Sequence, residues 1–511
     1  MHFKKLLSTR VKCICSDLMQ SAKETFSHMG DIFDDSNVIS LYSANSLNPP
    51  PQYIYNFLAS ERWSDNFYTS TKGNTDLLAA LSTKAVSEKI TFSSSENIAI
   101  TAGGSNGFAA LSYALLDEGD IILALAPTHI LFANTVHAFG GRMELVEATF
   151  DQQENRYRVT PQTLAQTIEY FEEQGKQIKA LFVVNPRNVD GDVLTENDIS
   201  ELAPLIEHKD LLVIEDRVYK GLQYDFGRGK ATFFAHHPLT HKRTLTIDSV
   251  SKRYGATQWR LGWIYGPETI IEAAKEYVMQ SIWSPAEKYQ KCAAQMIRAE
   301  LAEGDQNIQQ EHVRYFKNIH ETYSKRRDLS LLLINGRKQY NKLRCNYPGL
   351  RSIHELLTIY HDSLQKKSID LSGIKGMRTP VIPCAAMFIL MQAESDLFKR
   401  IPSSIPLKDL IFTRIVYRQL NIAMLPPNDL TLPKEDNLFR VEFGIDINDL
   451  LTAYGRLQKF MNLWMTAEDH IIAEMVDDAL KGIAKEKFAL EYISESESYS
   501  NKTPYKIKRS A

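Results

Sequence analysis

Between about residues 75 and 290, apolar runs of strand length alternate with stretches of helical period. NIAIT, DIILAL, RMELVEA, ALFVVN, LLVIED, RTLTID and LGWIYG are the predicted strands. Nearly continuous apolar runs suit strands buried on both faces, and a helix between successive strands makes them parallel. The pattern predicts an α/β domain over 76–310, a mostly parallel sheet sandwiched by helices.

The pattern changes on either side. Residues 1–36 are polar with few apolar positions and read as an N-terminal extension. Within 37–75, LYSANSLNPPPQYIYNFLAS carries Pro49, Pro50 and Pro51, which force an extended crossing rather than a helix, so this stretch is an arm belonging to a second domain. HVRYFKNIHETYSKRRDLSLLLI repeats apolar residues at helical spacing without Pro or Gly and predicts a helix joining the two domains. Beyond it, PVIPCAAMFILMQ, NIAMLPP and LFRVEFGI predict strands of a smaller α+β domain over 311–465, built with the arm. Residues 336–378, rich in basic groups and without a clear period, read as an insertion in it. The stretch 466–511 reads as a helical extension ending in a disordered tail, because SESESYSNKTPYKIKRSA is poor in large apolar residues.

Length and composition narrow the function classes. A chain of 511 residues exceeds one small core, and 44% hydrophobic with 24% charged residues is ordinary for a folded enzyme. A net charge of −3 provides no basic field for nucleic acid. The cysteines at 13, 15, 292, 345 and 384 have no CxxC spacing, so neither a zinc site nor a disulfide framework is indicated and a reducing compartment is expected. No apolar run approaches the roughly 20 residues of a spanning helix. Arg10, Lys12 and Asp17 interrupt any signal-like opening, so the expected location is the cytosol, away from membranes.

The chemistry concentrates in four segments at strand ends. TLTIDSVSKRYGATQWRLGWIYG holds one lysine, Lys252, after a strand and an arginine, Arg260, eight residues on. Partial desolvation there lowers a lysine's pKa and leaves amine to attack an aldehyde, while Ser249, Ser251 and Arg260 offer donors to a phosphate. LLVIEDRVYKGL ends its strand with Asp216 and places Tyr219 three residues later. A carboxylate there could hold a pyridine nitrogen protonated, with Tyr219 donating to a phenolic oxygen; taken alone, it caps the next helix. LFVVNPRNVDG sets Asn185 after an apolar run, and its amide could bond the same oxygen; taken alone, the segment is a turn. NIAITAGGSNGFAALSYAL joins strand to helix through Gly103, Gly104, Ser105 and Asn106, exposing amide groups and a positive helix end to a phosphate.

Taken in order, GGSN, NPxN, DxxY and SxSK with its arginine resemble the fold-type I pyridoxal-phosphate enzymes, particularly class I/II aminotransferases, over residues 36–465. The resemblance implies pyridoxal 5'-phosphate as cofactor, Lys252 as its Schiff-base lysine, Asp216 as the ring-nitrogen partner, and Tyr219 and Asn185 as phenolic-oxygen partners. It implies a phosphate cup of Ser249, Arg260, Gly104, Ser105 and Asn106. FYTSTKGNTDLLAAL is similar to a segment whose tyrosine reaches the phosphate of a neighbouring subunit, which points to Tyr68 and a homodimer with shared sites. LFRVEFG is similar to the segment whose arginine grips a substrate α-carboxylate, which points to Arg440. The implied reaction transfers an amino group from an amino acid to a 2-oxo acid.

Several positions depart from the family pattern. His129 stands where an aromatic ring usually stacks on the cofactor; it can stack, but as a histidine it is expected to titrate near neutrality. Val189 and Asp190 replace a proline and a small residue, Ala44 replaces a glycine close to the substrate, and Pro427 replaces another glycine. These departures leave open a second reading, an amino-acid β-decarboxylase or lyase, since YGATQWRLG is also similar to aspartate 4-decarboxylases. A non-catalytic binding protein of the same fold is the third reading.

Overall fold

The computed structural model describes residues 37–480, apart from 45, 47, 61–67, 130, 368, 406–407, 427–430 and 433–435. The N-terminal extension, Pro427 and the tail beyond residue 480 lie outside the described residues. The strands in chain order are β1 (Ile39–Ser40), β2 (Ile98–Thr101), β3 (Ile121–Leu125), β4 (Arg142–Val146), β5 (Thr149–Asp151), β6 (Arg156–Arg158) and β7 (Ile178–Val184). They continue with β8 (Leu212–Asp216), β9 (Thr244–Ser249), β10 (Gly262–Tyr265), β11 (Met377–Arg378), β12 (Phe388–Ala393), β13 (Ile422–Ala423) and β14 (Leu438–Glu442).

Seven of these form the central sheet in the order β2-β10-β9-β8-β7-β3-β4, with β10 antiparallel and its neighbours otherwise parallel. All seven overlap the expected apolar runs, β7 starting two residues earlier and β9 ending one residue later. β7 shows why the runs are continuous: Leu181 and Val183 pack with Leu164, Ile199 and Leu202 of the helices Pro161–Glu173 and Glu196–His208. Ala180, Phe182 and Val184 turn to the opposite face and join Phe108 and Ala110 of the helix Gly104–Leu115. Both sides of the pleat are dry, so neither can be polar.

The second domain draws on both ends of the chain, but the arm turns helical over Gln52–Ser60 right after Pro51, and Tyr53 and Ile54 of that helix pack with Ile100 and Trp263 of the central sheet. β1 of the arm pairs parallel with β13, and the Glu442 N–H donates to Leu41 O at 2.6 Å. β12 lies between β11 and β14 in an antiparallel sheet. The linking helix runs Gln306–Asn346 and breaks at Gly336, whose φ of 74° lies in the left-handed region and whose Cα faces the Ser372 carbonyl closely enough to exclude a side chain. The segment 336–378 proves to be integral to this domain. It forms the end of that helix, the helices Ile353–Ile359 and His361–Lys367, and β11, and it buries Leu350, Leu356, Leu364 and Ile374. Gln458 ties it to the helix Ile447–Thr466 by donating to Asp370 O at 2.8 Å.

Trp464 anchors the domain's core. It is fully buried, its ring centroid lies 5.5 Å from that of Phe412 and 5.8 Å from that of Phe460, and its indole N–H donates to Leu397 O at 3.2 Å. Among the described residues no helix is long and apolar enough to cross a membrane. Replacing Trp464 with alanine is expected to lower the unfolding free energy by about 3–5 kcal/mol, the range for emptying a large aromatic site. Urea denaturation should show this as an earlier midpoint with an unchanged slope.

Candidate active site

Strand register gathers the site. Val184 pairs with Asp216, Asp216 with Ile247, and Gly262 with both Ser249 and Thr101. The carboxyl ends of β2, β7, β8 and β9 therefore reach one sheet edge together with the start of β10. In open parallel sheets, ligands bind outside that edge.

Lys252 lies three residues beyond β9, and its Nζ donates to Ala44 O at 2.7 Å. Burial draws its ammonium down to about 8; Glu442 and Asp216 oppose the shift, while Arg440 and Arg260 assist it. Asp216 closes β8 with 4% of its surface exposed, and Oδ1 accepts from the Val218 N–H at 3.0 Å. Burial pushes its carboxyl up to about 7; the Val218 bond and Lys252 pull it down and Asp248 adds to the rise. Tyr219 is buried, and that burial holds its phenol above the usual range. Its ring meets Phe388 edge-on at 5.8 Å, and the Arg440 guanidinium lies 4.2 Å over the same phenylalanine. Arg440 donates to Asn188 O at 3.0 Å and to Tyr42 O at 2.5 Å, so loop and arm backbone fix its fork.

At the other end of the cleft, the helix Gly104–Leu115 begins after Gly103, which has φ 83° and no side chain to cap it. A Cβ on Gly103 would stand 2.9 Å from Arg260 Nη2. Arg260 can thus lie against the turn, donating to Ala102 O at 3.2 Å and Thr257 O at 3.1 Å. Ser105 is exposed on the first turn, Gly104 packs close to Val218, and Asn106 Oδ1 accepts from the Ala102 N–H at 3.0 Å to brace the loop. Ser249 Oγ accepts from the Ser251 N–H at 3.3 Å, which leaves its own hydroxyl proton to donate. Uncapped amides, a helix dipole and a guanidinium together make an anion cradle.

One expectation needs correction, that for His129, and Asn185 has a second task. Asn185 braces its loop and keeps a donor: one Nδ2 hydrogen goes to Thr232 O at 2.6 Å and Oδ1 accepts from the Leu194 N–H at 3.0 Å, which leaves the second Nδ2 hydrogen. Its amide holds the loop together, whereas Asn188, 8% exposed beside Arg440, has a buried Oδ1 without a partner. His129 does not titrate near neutrality. Burial, with Arg440 adding to it, depresses the imidazole to about 3, so the ring is neutral at working pH. Tyr68 is 88% exposed and packs on Trp283 with ring centroids 5.4 Å apart.

The loop that carries Asn188 is held by charge. Arg187 grips Asp190 through Nε at 3.0 Å and Nη2 at 2.7 Å, and also reaches Asp192 at 2.7 Å and Tyr157 O at 2.8 Å. Burial alone would raise the Asp192 carboxyl, but Arg187, Arg228 and Arg156 outweigh it and hold the group below its usual range. A bidentate ion pair thus stands where the family pattern has Pro and a small residue. The residues missed by sequence reasoning are Glu442, Asn188, Phe388 and Tyr42. Glu442 had a signal: R-V-E on one strand places Arg440 and Glu442 on the same face.

A family model described as aminotransferase class I and II matches residues 37–331. The chain belongs to this family. Among curated aminotransferases, an aspartate aminotransferase of Musicola paradisiaca is 27% identical over 45% of this chain and 56% of its own length. Kynurenine–oxoglutarate transaminase 3 of Bos taurus is 28% identical over 51% of this chain and 58% of its own length. The chain thus spans little more than half the length of the curated relatives it matches. Among solved aminotransferases, the fold resembles aspartate aminotransferase from Thermus thermophilus with maleate, with a TM-score of 0.64 at 20% identity over 89% of this chain and 99% of that one. The aromatic aminotransferase from Pyrococcus horikoshii gives 0.63 at 21% identity over 85% and 98%.

Asp190→Ala is expected to destabilise the protein by about 3 kcal/mol, because it leaves the buried Arg187 short of one carboxylate. Chemical denaturation checks the magnitude, and accelerated amide exchange confined to 185–192 checks the location.

Proposed function

We propose that the protein is a pyridoxal 5'-phosphate-dependent aminotransferase that moves an amino group from an amino acid to a 2-oxo acid, with Lys252 as the cofactor's anchor. The observation that carries this reading is a lysine drawn down to about 8 at the same sheet edge as a buried aspartate. A chain of this family is expected to use that cofactor, and the donor set fits it. The uncapped helix start and Arg260 suit a phosphate, and the missing Cβ of Gly103 lets the Arg260 guanidinium lie against that helix start. Asp216 suits a protonated ring nitrogen. Tyr219 and Asn185 suit the ring's phenolic oxygen, since the Asn185 amide has a second N–H beyond the one given to Thr232 O, and turning the Asn188 amide presents another NH₂.

When bound, the cofactor ring supplies an electron sink for negative charge at the substrate α-carbon. The chain's own residues do the rest. Lys252 Nζ becomes free amine as pH rises through about 8, and it can take a proton and return it from a fixed place. Arg440 offers a planar fork to a substrate carboxylate, held in orientation by two backbone carbonyls and the Phe388 ring. The neutral His129 can lie flat on the cofactor's aromatic ring without introducing a second cation beside Arg440.

Amino acids and 2-oxo acids are the proposed substrates; relatives named for aspartate and for kynurenine support the class without selecting a side chain. The exposure of Tyr68 and its contact with Trp283 support a homodimer in which that face meets a second chain. A cytosolic location accords with the sparse cysteines. The decarboxylase or lyase reading gains nothing from the comparisons, and a non-catalytic role leaves the shifted Lys252 and Asp216 without a purpose.

Incubation with pyridoxal 5'-phosphate is expected to produce a visible absorption band that responds to amino acids, and borohydride reduction should fix the cofactor on the Lys252 peptide. Lys252→Ala should abolish the fixation and reduce turnover by several orders of magnitude. Covalent attachment elsewhere with wild-type turnover would defeat the assignment. A second outcome follows from Asp216. Its carboxyl, raised to about 7, is protonated below that pH, so affinity for a cationic ring should increase as pH rises through about 7. Fluorescence titration should show that dependence in the wild type and lose it in Asp216→Asn.

A further inference from the structure

The Ala44 backbone stands between the reactive lysine and a buried acid. Its carbonyl accepts from Lys252 Nζ at 2.7 Å, and its N–H donates to Glu442 Oε2 at 2.7 Å. Ala44 has φ 56°, a left-handed conformation that residues with a side chain rarely adopt without external support. Glu442 supplies that support from the end of β14, where it is fully buried and where its own N–H holds Leu41 O. The acid therefore grips the arm twice, through backbone at Leu41 and through side chain at Ala44.

We infer that Glu442 is a positioning residue that latches the N-terminal arm and, through the Ala44 carbonyl, sets both the place and the basicity of the Lys252 amine. The inference rests on Lys252 being the reacting amine, but the latch itself requires no cofactor. The charged groups that face Lys252 are Glu442 and Arg440 from β14, Asp216 from β8 and Arg260 from the turn before β10. Tyr219 and Tyr323 lie near the acid, and Tyr323 shares a hydrogen bond of 3.2 Å with Ser46 farther along the arm. Two cations and two anions surround the lysine. Removing the Glu442 charge leaves Arg440 and Arg260 opposed by Asp216 alone, which favours the neutral amine.

The test uses the full-length chain freed of cofactor. Labelling of Lys252 by trinitrobenzenesulfonate is followed against pH by peptide mass spectrometry, together with amide exchange over Leu41–Ala44. Glu442→Gln keeps an acceptor for the Ala44 N–H and loses the charge, so the labelling midpoint should fall by about one pH unit while arm exchange stays at the wild-type rate. Glu442→Ala loses both, and arm exchange should accelerate at least tenfold. Ala44→Pro breaks the latch from the other side, because proline has no N–H and cannot take a positive φ, and it leaves the buried acid intact. It too should free the arm and speed labelling of Lys252. Ala44→Gly, which retains both backbone groups and favours positive φ, should leave midpoint and exchange as in the wild type. An unmoved midpoint in Glu442→Gln, or an arm as protected in Glu442→Ala and Ala44→Pro as in the wild type, overturns the inference. Failure of the cofactor assignment would instead appear as missing fixation on Lys252, a separate measurement.

Discussion

Taking charge out of water at one sheet edge is the constraint around which this protein is organised. Asp216 and Lys252 are both drawn toward their neutral forms by burial, and each opposes that shift in the other. A lone desolvated charge of this kind is costly, and it persists where opposite charges and hydrogen bonds compensate. The compensation comes from several elements: the Val218 amide for Asp216, the Ala44 carbonyl for Lys252, and Glu442 from another domain for Lys252. Chemistry and stability are therefore set by the same contacts, since groups with perturbed ionisation are useful only while their surroundings hold.

The same constraint explains why the two domains meet as they do. Arg440 reaches the 185–192 loop of the large domain through Asn188 O and the arm through Tyr42 O, so one guanidinium joins three parts of the chain. The loop is in turn stiffened by Arg187, Asp190 and Asp192. Beneath the sheet edge a further ionic group links Arg217, Lys220, Lys84, Glu88, Asp248, Arg253 and Glu300. Buried charges at this density favour a unique arrangement, because each displaced partner would leave another uncompensated.

The large domain was legible in the sequence because two-sided burial makes its strands nearly continuous apolar runs. The Lys252, Asp216 and Arg440 positions were legible because each sits on or just beyond such a strand. Other features carried no comparable signal. β1, β11 and β13 have two residues each, and the helices Ile353–Ile359 and His361–Lys367 have seven each, too few to display a period. That Asn185 also braces its loop, through Thr232 O and the Leu194 N–H, depends on tertiary contacts that the sequence does not display. His129 shows the same limit: its residue type suggests a titrating group, whereas burial next to Arg440 makes it a neutral ring. Glu442 was visible as an acid on a buried strand, but its partner Ala44 lies 398 residues away in sequence.

That separation has a consequence for how the protein comes into being. The arm leaves the ribosome early, but the strand that holds it is made 398 residues later. At synthesis rates of about 5–20 residues per second, the interval is roughly 20–80 s. For the later part of it, from the completion of β10 at Tyr265 until β14 is made at Leu438–Glu442, the large domain has the strands of its sheet and its lysine but no latch. Assembly of the site is thus timed by translation of the last strand rather than by folding of the domain that bears the lysine.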